Sequence, residues 1–219
     1  MAQPSVPKRF GILGSGDVGQ ALAKGFAANG CEVRIGTRSP GKLAKFSKST
    51  GIREGTFPEV AAWGQALVLA VLGKAALDAL DLAGPANLRD KLVIDTTNPI
   101  SDDAPEDGVL RYFTGPNESL MERLQAAHPR VRFVKAFNSV GSDLMIHPPL
   151  SGGPPTMFYC GNDRGAKAVV AHLLEQVGWE PVDMGSAVAA RAIEPLAQLW
   201  CIPGFREDQW MHAFRLLRP

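Results

Sequence analysis

Cysteine is scarce in this sequence: Cys31, Cys160 and Cys201 are the only three, and they stand far apart along the chain. An odd, scattered set excludes a disulfide framework and offers no metal-type spacing. Buried thiols in a reducing compartment are expected, and with them a cytoplasmic protein with no metal site. Charge of one sign is missing as well. The formal net charge is +1, with no long block of Lys and Arg, which removes nucleic acid and anionic membranes from the expected partners. Long apolar runs are also absent. The longest, Ala66 to Leu72, has the length of a buried strand, well short of the roughly 18 residues that span a bilayer. The opening "MAQPSVPKR" holds no apolar stretch of signal-peptide length. HExxH and GxSxG motifs do not occur.

What the sequence does have is alternation. "RFGIL", "CEVRIG", "ALVLAVL", "KLVIDTT", "RVRFVKAF", "TMFYCG" and "EPVDMG" read as strands, and helical patterns separate most of them. Such β-α-β order predicts an α/β fold, a doubly wound and mostly parallel sheet with helices on both faces. The Val, Ile and Leu of "LVLAVL" and "KLVID" run continuously, as strands buried on both faces require. From Ser186 onward only helical patterns remain, "SAVAARAIEPLAQLWCI" and "EDQWMHAFRLL". The 219 residues therefore read as one domain, 1–219, with 186–219 as its C-terminal helical extension.

The densest signal is the loop Gly14-Ser15-Gly16-Asp17-Val18-Gly19, which follows an apolar strand and opens a helix. That context turns a weak GxGxxG into a dinucleotide-binding (Rossmann, NAD(P)-binding) fingerprint. Gly14 would allow the tight turn, Gly16 the approach of a pyrophosphate, and Gly19 close packing of helix on strand. The helix N-terminus offers free N–H groups to the phosphates. Asp17 is expected to turn its carboxylate away or to cap the helix. In the NAD version of this fold the second strand ends in an acid that holds the ribose diol. Here that place has Gly36, followed by Thr37, Arg38 and Ser39, with Lys42 close behind. Losing the acid removes repulsion from a 2′-phosphate, and Arg38 adds a planar fork that matches phosphate oxygens. The pattern points to NADP(H).

With these blocks the chain resembles the family of NADP oxidoreductases dependent on the 8-hydroxy-5-deazaflavin coenzyme F420, in its bacterial branch. "GILGSGDVGQALA", "GTRSP", "DTTNP", "VKAFNSVG", "GNDRGAKAVV" and "DMGSAVAARAIEPLAQLW" look like that family's blocks in the same order, over about residues 8 to 205. The resemblance implies a nicotinamide over the strand ends Ala70-Val71-Leu72, Asn98-Pro99 and Asn138-Ser139. It also implies hydride transfer between NADP(H) and a small-molecule redox substrate that is flavin-like, F420 or a flavin. Short polar groups such as Asn98 and Asn138 could bond a carboxamide or the second substrate.

Among the dispersed histidines, His128 and His172 read as structural. His147 lies in the segment "HPPLSGGPP" (147 to 155), where a substrate loop is expected. Asn138 and His147 are thus the candidates for positioning substrate. Arg191 and Glu194 are spaced to pair on a helix. Trp200, Phe205, Trp210 and Phe214 load the tail with aromatic bulk, consistent with a homodimer. Two other readings stay open: an NADP-binding sensor without turnover, and a reductase of a small imine or carbonyl compound.

Overall fold

The apolar runs become the central strands of one eight-stranded sheet in the computed structural model, which describes residues 5–219. In chain order the first half comprises β1 (Arg9–Leu13), α1 (Asp17–Ala28), β2 (Glu32–Gly36), α2 (Ala44–Thr50), β3 (Arg53–Gly55) and α3 (Phe57–Trp63). It continues through β4 (Ala66–Leu69), α4 (Ala76–Ala83), α5 (Pro85–Leu88) and β5 (Leu92–Asp95). The second half comprises α6 (Leu120–Ala127), β6 (Arg132–Lys135), β7 (Thr156–Gly161), α7 (Arg164–Gln176), β8 (Glu180–Asp183), α8 (Ala190–Ile193) and α9 (Pro195–Glu207).

The strand order is β3-β2-β1-β4-β5-β6-β7-β8, parallel except where β7 runs against β6. From β1 the chain first builds outward through β2 and β3, then returns to place β4 on β1's other side. That reversal leaves a crevice at the carboxyl ends of β1 and β4, where an open α/β sheet binds ligands.

Period-2 alternation sorts side chains between two core layers. Phe10, Ile12, Val68 and Ile94 face α1 and α7, where Leu22, Phe26, Val170 and Leu173 meet them. Leu13, Leu67, Leu69, Val93 and Phe133 face the other way, onto Val60, Leu80 and Leu124. Both faces are covered, so the strands carry no polar face. Local signals set the helix ends: Thr56 and Glu59 form a capping box at α3, and Asp163 caps α7 through the Ala166 N–H.

The C-terminal extension departs from expectation. Its first helical pattern breaks at Pro195 into α8 and α9, and the second pattern, from Asp208 onward, is not a helix. At Asp208 the backbone turns left-handed (φ 55°), which ends α9. The tail then lies back across the molecule as an extended strap. Trp200 Nε1 donates to the His212 carbonyl at 2.7 Å, and Thr156 N donates to the Phe214 carbonyl at 2.8 Å. The aromatic residues gain more by packing on α9 and the core edge than a free helix would gain from its own hydrogen bonds. Among the described residues no helix is long and apolar enough to cross a membrane.

Candidate functional site

The three glycines of the first loop have separate physical reasons. Gly14 has φ 138°, and a Cβ there would lie 2.0 Å from the Ala70 carbonyl oxygen. A Cβ on Gly19 would lie 2.2 Å from the Gly14 carbonyl oxygen. These two let β1, β4 and α1 close up. Gly16 differs: a Cβ there would meet nothing within 4 Å. Its glycine answers no demand of the fold and leaves backbone open to the crevice. Gly16 is the N-cap of α1 and no side chain caps the helix, so Asp17 does not fill that role. Gln20 Nε2 instead braces the loop through the Ser15 carbonyl at 3.0 Å. The first N–H groups of a 12-residue helix therefore face the crevice unpaired by side chains.

The basic turn is also braced. Thr37 is buried, and its Oγ1 accepts from Ser39 N at 3.1 Å. Glu54 on β3 accepts from Gly41 N at 2.7 Å and Leu43 N at 2.9 Å. These bonds fix the backbone of residues 37–43 and leave the side chains of Arg38 and Lys42 exposed, with no carboxylate partner among the described residues. Gly36 has a reason beyond charge. A Cβ there would stand 2.8 Å from the Phe57 ring and 3.2 Å from the Ile12 carbonyl oxygen. An acid at this position would crowd the Phe57 ring.

One cavity of about 890 Å³ joins these parts. Of the residues expected from sequence, Gly14 to Val18, Thr37 to Ser39, Lys42, Ala70 to Leu72 and Asn98 all line it. Gly19 and Pro99 sit behind its wall. Asn138 lies one layer back, where its Nδ2 donates to Asn98 Oδ1 and to the Ile193 carbonyl, each at 3.0 Å. Asn98 Nδ2 returns a bond to the Asn138 carbonyl at 2.8 Å. Asn138 thus holds a lining residue and does not itself face the cavity. Gly73, which the sequence reading passed over, brings the two strand-end loops together: a Cβ there would lie 1.9 Å from the Asn98 carbonyl oxygen. Lys74 and Asp102 pair across the mouth, and Leu72 beside them is 71% exposed.

His147 is a correction. It is exposed, outside the cavity, and packs against Gly178, with its N–H on the Val177 carbonyl at 2.8 Å. The segment 147 to 155 lies beside the tail, with Gly153 next to the Arg215 guanidinium, and no residue of it lines the cavity. It was expected to cover the second substrate because it follows Asn138 directly. The chain instead runs away from the crevice after Gly141 to reach the antiparallel β7.

Sequence reasoning missed a buried charge cluster behind the same wall. Lys135 Nζ, fully buried, stands 2.7 Å from Asp95 Oδ2, 2.9 Å from Glu194 Oε1 and 2.7 Å from the Thr97 carbonyl. Asp95 Oδ1 also accepts from Thr97 N (2.9 Å) and Thr97 Oγ1 (2.7 Å). Glu194 accepts from Leu120 N and Met121 N at the start of α6. Burial alone would push Lys135 toward its neutral form. The Asp95 and Glu194 carboxylates outweigh it and hold the lysine above its usual range. Arg191 does not pair with Glu194, as the spacing suggested, but with Glu122 at 2.7 Å. The signal for the cluster was available only as three charged residues inside otherwise apolar or helical stretches.

A profile of the family described as NADP oxidoreductase coenzyme F420-dependent matches residues 9–99. The F420-dependent NADP reductase of Methanothermobacter thermautotrophicus is 30% identical over 91% of this chain and 90% of its own length. A crystal structure named for a candidate F420-dependent NADP reductase from Arthrobacter sp. FB24 superposes with a TM-score of 0.90, 31% identity and coverage of 97% of this chain and all of that one. Metalloreductase STEAP3 of Rattus norvegicus is 29% identical over 91% of this chain, which spans 39% of that protein's length. Reductive aminase from Aspergillus terreus shares the fold at 20% identity and a TM-score of 0.65. The chain belongs to the family of F420-dependent NADP oxidoreductases, and it is an NADP-dependent oxidoreductase.

Proposed function

We propose that this enzyme moves hydride between NADP(H) and a flat, flavin-like ring, with the deazaflavin coenzyme F420 as the first substrate to test. The observation that carries the reading is the continuity of the cavity. It runs from the braced basic turn, past the open N-terminus of α1, to the strand ends Ala70 to Leu72 and Thr96 to Asn98. Its volume of about 890 Å³ is in the range of small-molecule and cofactor sites.

The residues fit NADP(H) at each position. Gly14 to Val18 and the α1 N-terminus would take the pyrophosphate. Thr37, Arg38, Ser39 and Lys42 would take the 2′-phosphate, Arg38 by its planar fork and Lys42 as a point charge. Val71, Leu72, Thr97 and Asn98 would hold the nicotinamide. NADPH supplies a hydride, two electrons with one proton, and the acceptor takes its balancing proton from solvent. The charged groups at this end, Lys74 and Asp102, are paired with each other across the mouth. The transfer asks neither to act as acid or base, because it depends on alignment of two rings and exclusion of water. Exposed Leu72 and Leu82 supply an apolar surface at the mouth that a second ring could cover.

The test is an anaerobic NADPH oxidation screen against F420, FMN, FAD, a quinone and a ferric chelate. Turnover with F420 at least tenfold above the others supports the deazaflavin reading. Turnover confined to the ferric chelate or the quinone overturns it.

A further inference from the structure

We infer that the buried Asp95–Lys135–Glu194 cluster is a positioning unit for the nicotinamide end of the cavity. Its anchor is Glu194, in the C-terminal extension. The inference rests on the cofactor placement proposed above and adds residues outside the cavity lining.

Every partner of the two carboxylates is a donor. Asp95 receives Thr97 N, Thr97 Oγ1 and the lysine; Glu194 receives Leu120 N, Met121 N and the lysine. The lysine stands at ion-pair distance from both carboxylates and donates a hydrogen bond to the Thr97 carbonyl. Thr97 is therefore held at its N–H, its hydroxyl and its carbonyl by this one cluster. Its neighbour Asn98 is held by Asn138, which in turn bonds the Ile193 carbonyl next to Glu194. Tyr112 Oη adds a 2.8 Å bond to the Glu194 carbonyl. Thr97 and Asn98 line the cavity. The segment that meets the nicotinamide is thus fixed at each polar group of Thr97, by residues drawn from β5, β6 and the α8–α9 junction.

Stability alone is a weak reason for this arrangement. Buried ion clusters replaced by neutral residues of similar volume often leave a protein as stable as before, or more so. Fixed geometry is what such a cluster supplies that neutral packing does not. The proposed phosphate contacts come from other segments, the glycine loop and the basic turn, which none of the cluster's bonds reaches. Loss of the cluster should therefore loosen the ring while leaving the phosphate grip intact.

The experiment uses the full chain with NADPH as probe. It compares the original protein with Glu194→Gln, Lys135→Met and the triple replacement Asp95→Asn, Lys135→Met, Glu194→Gln. Three quantities are read: NADPH affinity by calorimetry, fluorescence anisotropy of the bound dihydronicotinamide, and single-turnover NADPH oxidation by F420. In folded variants affinity should change by less than about threefold, since phosphate contacts supply it. Oxidation should fall by roughly tenfold to a hundredfold, the scale of a ring misplaced by about 1 Å, and the ring's anisotropy should drop. The triple variant should fold, and Lys135→Met should be the least stable.

Unchanged oxidation and anisotropy in any folded cluster variant overturns the inference. So does a matched loss of affinity and rate, or failure of all three variants to fold, each of which assigns the cluster to stability alone. If the original protein does not bind NADPH, the proposed cofactor site itself has failed. Binding without oxidation of F420 defeats only the choice of acceptor, and the anisotropy still decides the role of the cluster.

Discussion

The two ends of the cavity are built by opposite strategies. The end proposed to hold the phosphates comes from one continuous stretch, Gly14 to Glu54, and would work mainly through backbone: N–H groups of α1, glycines without Cβ atoms, and a turn tied down by Glu54. The other end is assembled from Asp95, Lys135 and Glu194, distant in sequence and joined only by the tertiary fold. Local backbone chemistry suffices to bind phosphate, because helix N-termini and basic forks carry the needed charge wherever they occur. Orienting a ring takes rigid walls, and here the wall is anchored across three elements. Damage to the phosphate end should therefore appear as lost affinity, and damage to the other as lost stability or rate.

Lys135→Met breaks the comparison hardest. It leaves two carboxylates buried without their cation, so about 3–5 kcal/mol of stability should go, measured by urea unfolding. Gly16→Val is next and should do the reverse. Its side chain would enter open space, so the fold should persist while NADPH affinity falls about a hundredfold or more, a little under 3 kcal/mol. A folded Gly16→Val protein with full NADPH affinity by calorimetry removes the pyrophosphate from that loop. Glu54→Gln tests the brace. With one amide face donating instead of accepting, one of its two turn bonds is lost, at about 0.5–1.5 kcal/mol. NADPH affinity should weaken severalfold and NADH affinity should stay.

The smallest expected effect is at the thiols. Burial pushes Cys160 up to about 12, so at pH 8 only about one thiol in ten thousand is ionised. Cys31, just before β2, is only partly buried, though burial raises it too. Thiol labelling at pH 8 should mark Cys31 and spare Cys160 in the native protein. Equal labelling would mean that the sheet opens beside the cluster as easily as the loop before β2 is reached.

The sequence was most legible where cause and residue are neighbours. The glycine loop, the missing acid and the continuous strands could be read directly, because each depends on spacings within one βαβ unit. The reason for Gly36 could not, since Phe57 lies beyond the next strand and only the fold places its ring there. Asn138 was found but misplaced by one layer, because strand-end position predicts proximity and not direction. His147 was misread because nothing local shows that β7 runs antiparallel and draws the loop away. The tail was misread because its helical spacing competes with packing on Gly204 and Trp200, which no local window contains. The cluster was missed because pairing among charges so far apart is a tertiary fact.

Arg38 carries the central claim that the phosphate end reads a 2′-phosphate. Gly36→Asp is a poor test, since its Cβ would crowd the Phe57 ring and the Ile12 carbonyl oxygen and so disturb the fold as well as the charge. Arg38→Ala is clean: the side chain is exposed and has no ion-pair partner among the described residues. The measurement is the ratio of NADPH to NADH affinity, by calorimetry, in the original protein and in Arg38→Ala. Loss of a charge-assisted contact of about 1.5–3 kcal/mol should lower that ratio roughly 10- to 150-fold, with NADH affinity nearly unmoved. If Arg38→Ala weakens both nucleotides equally, or neither, the turn is solvated surface and the 2′-phosphate is held elsewhere.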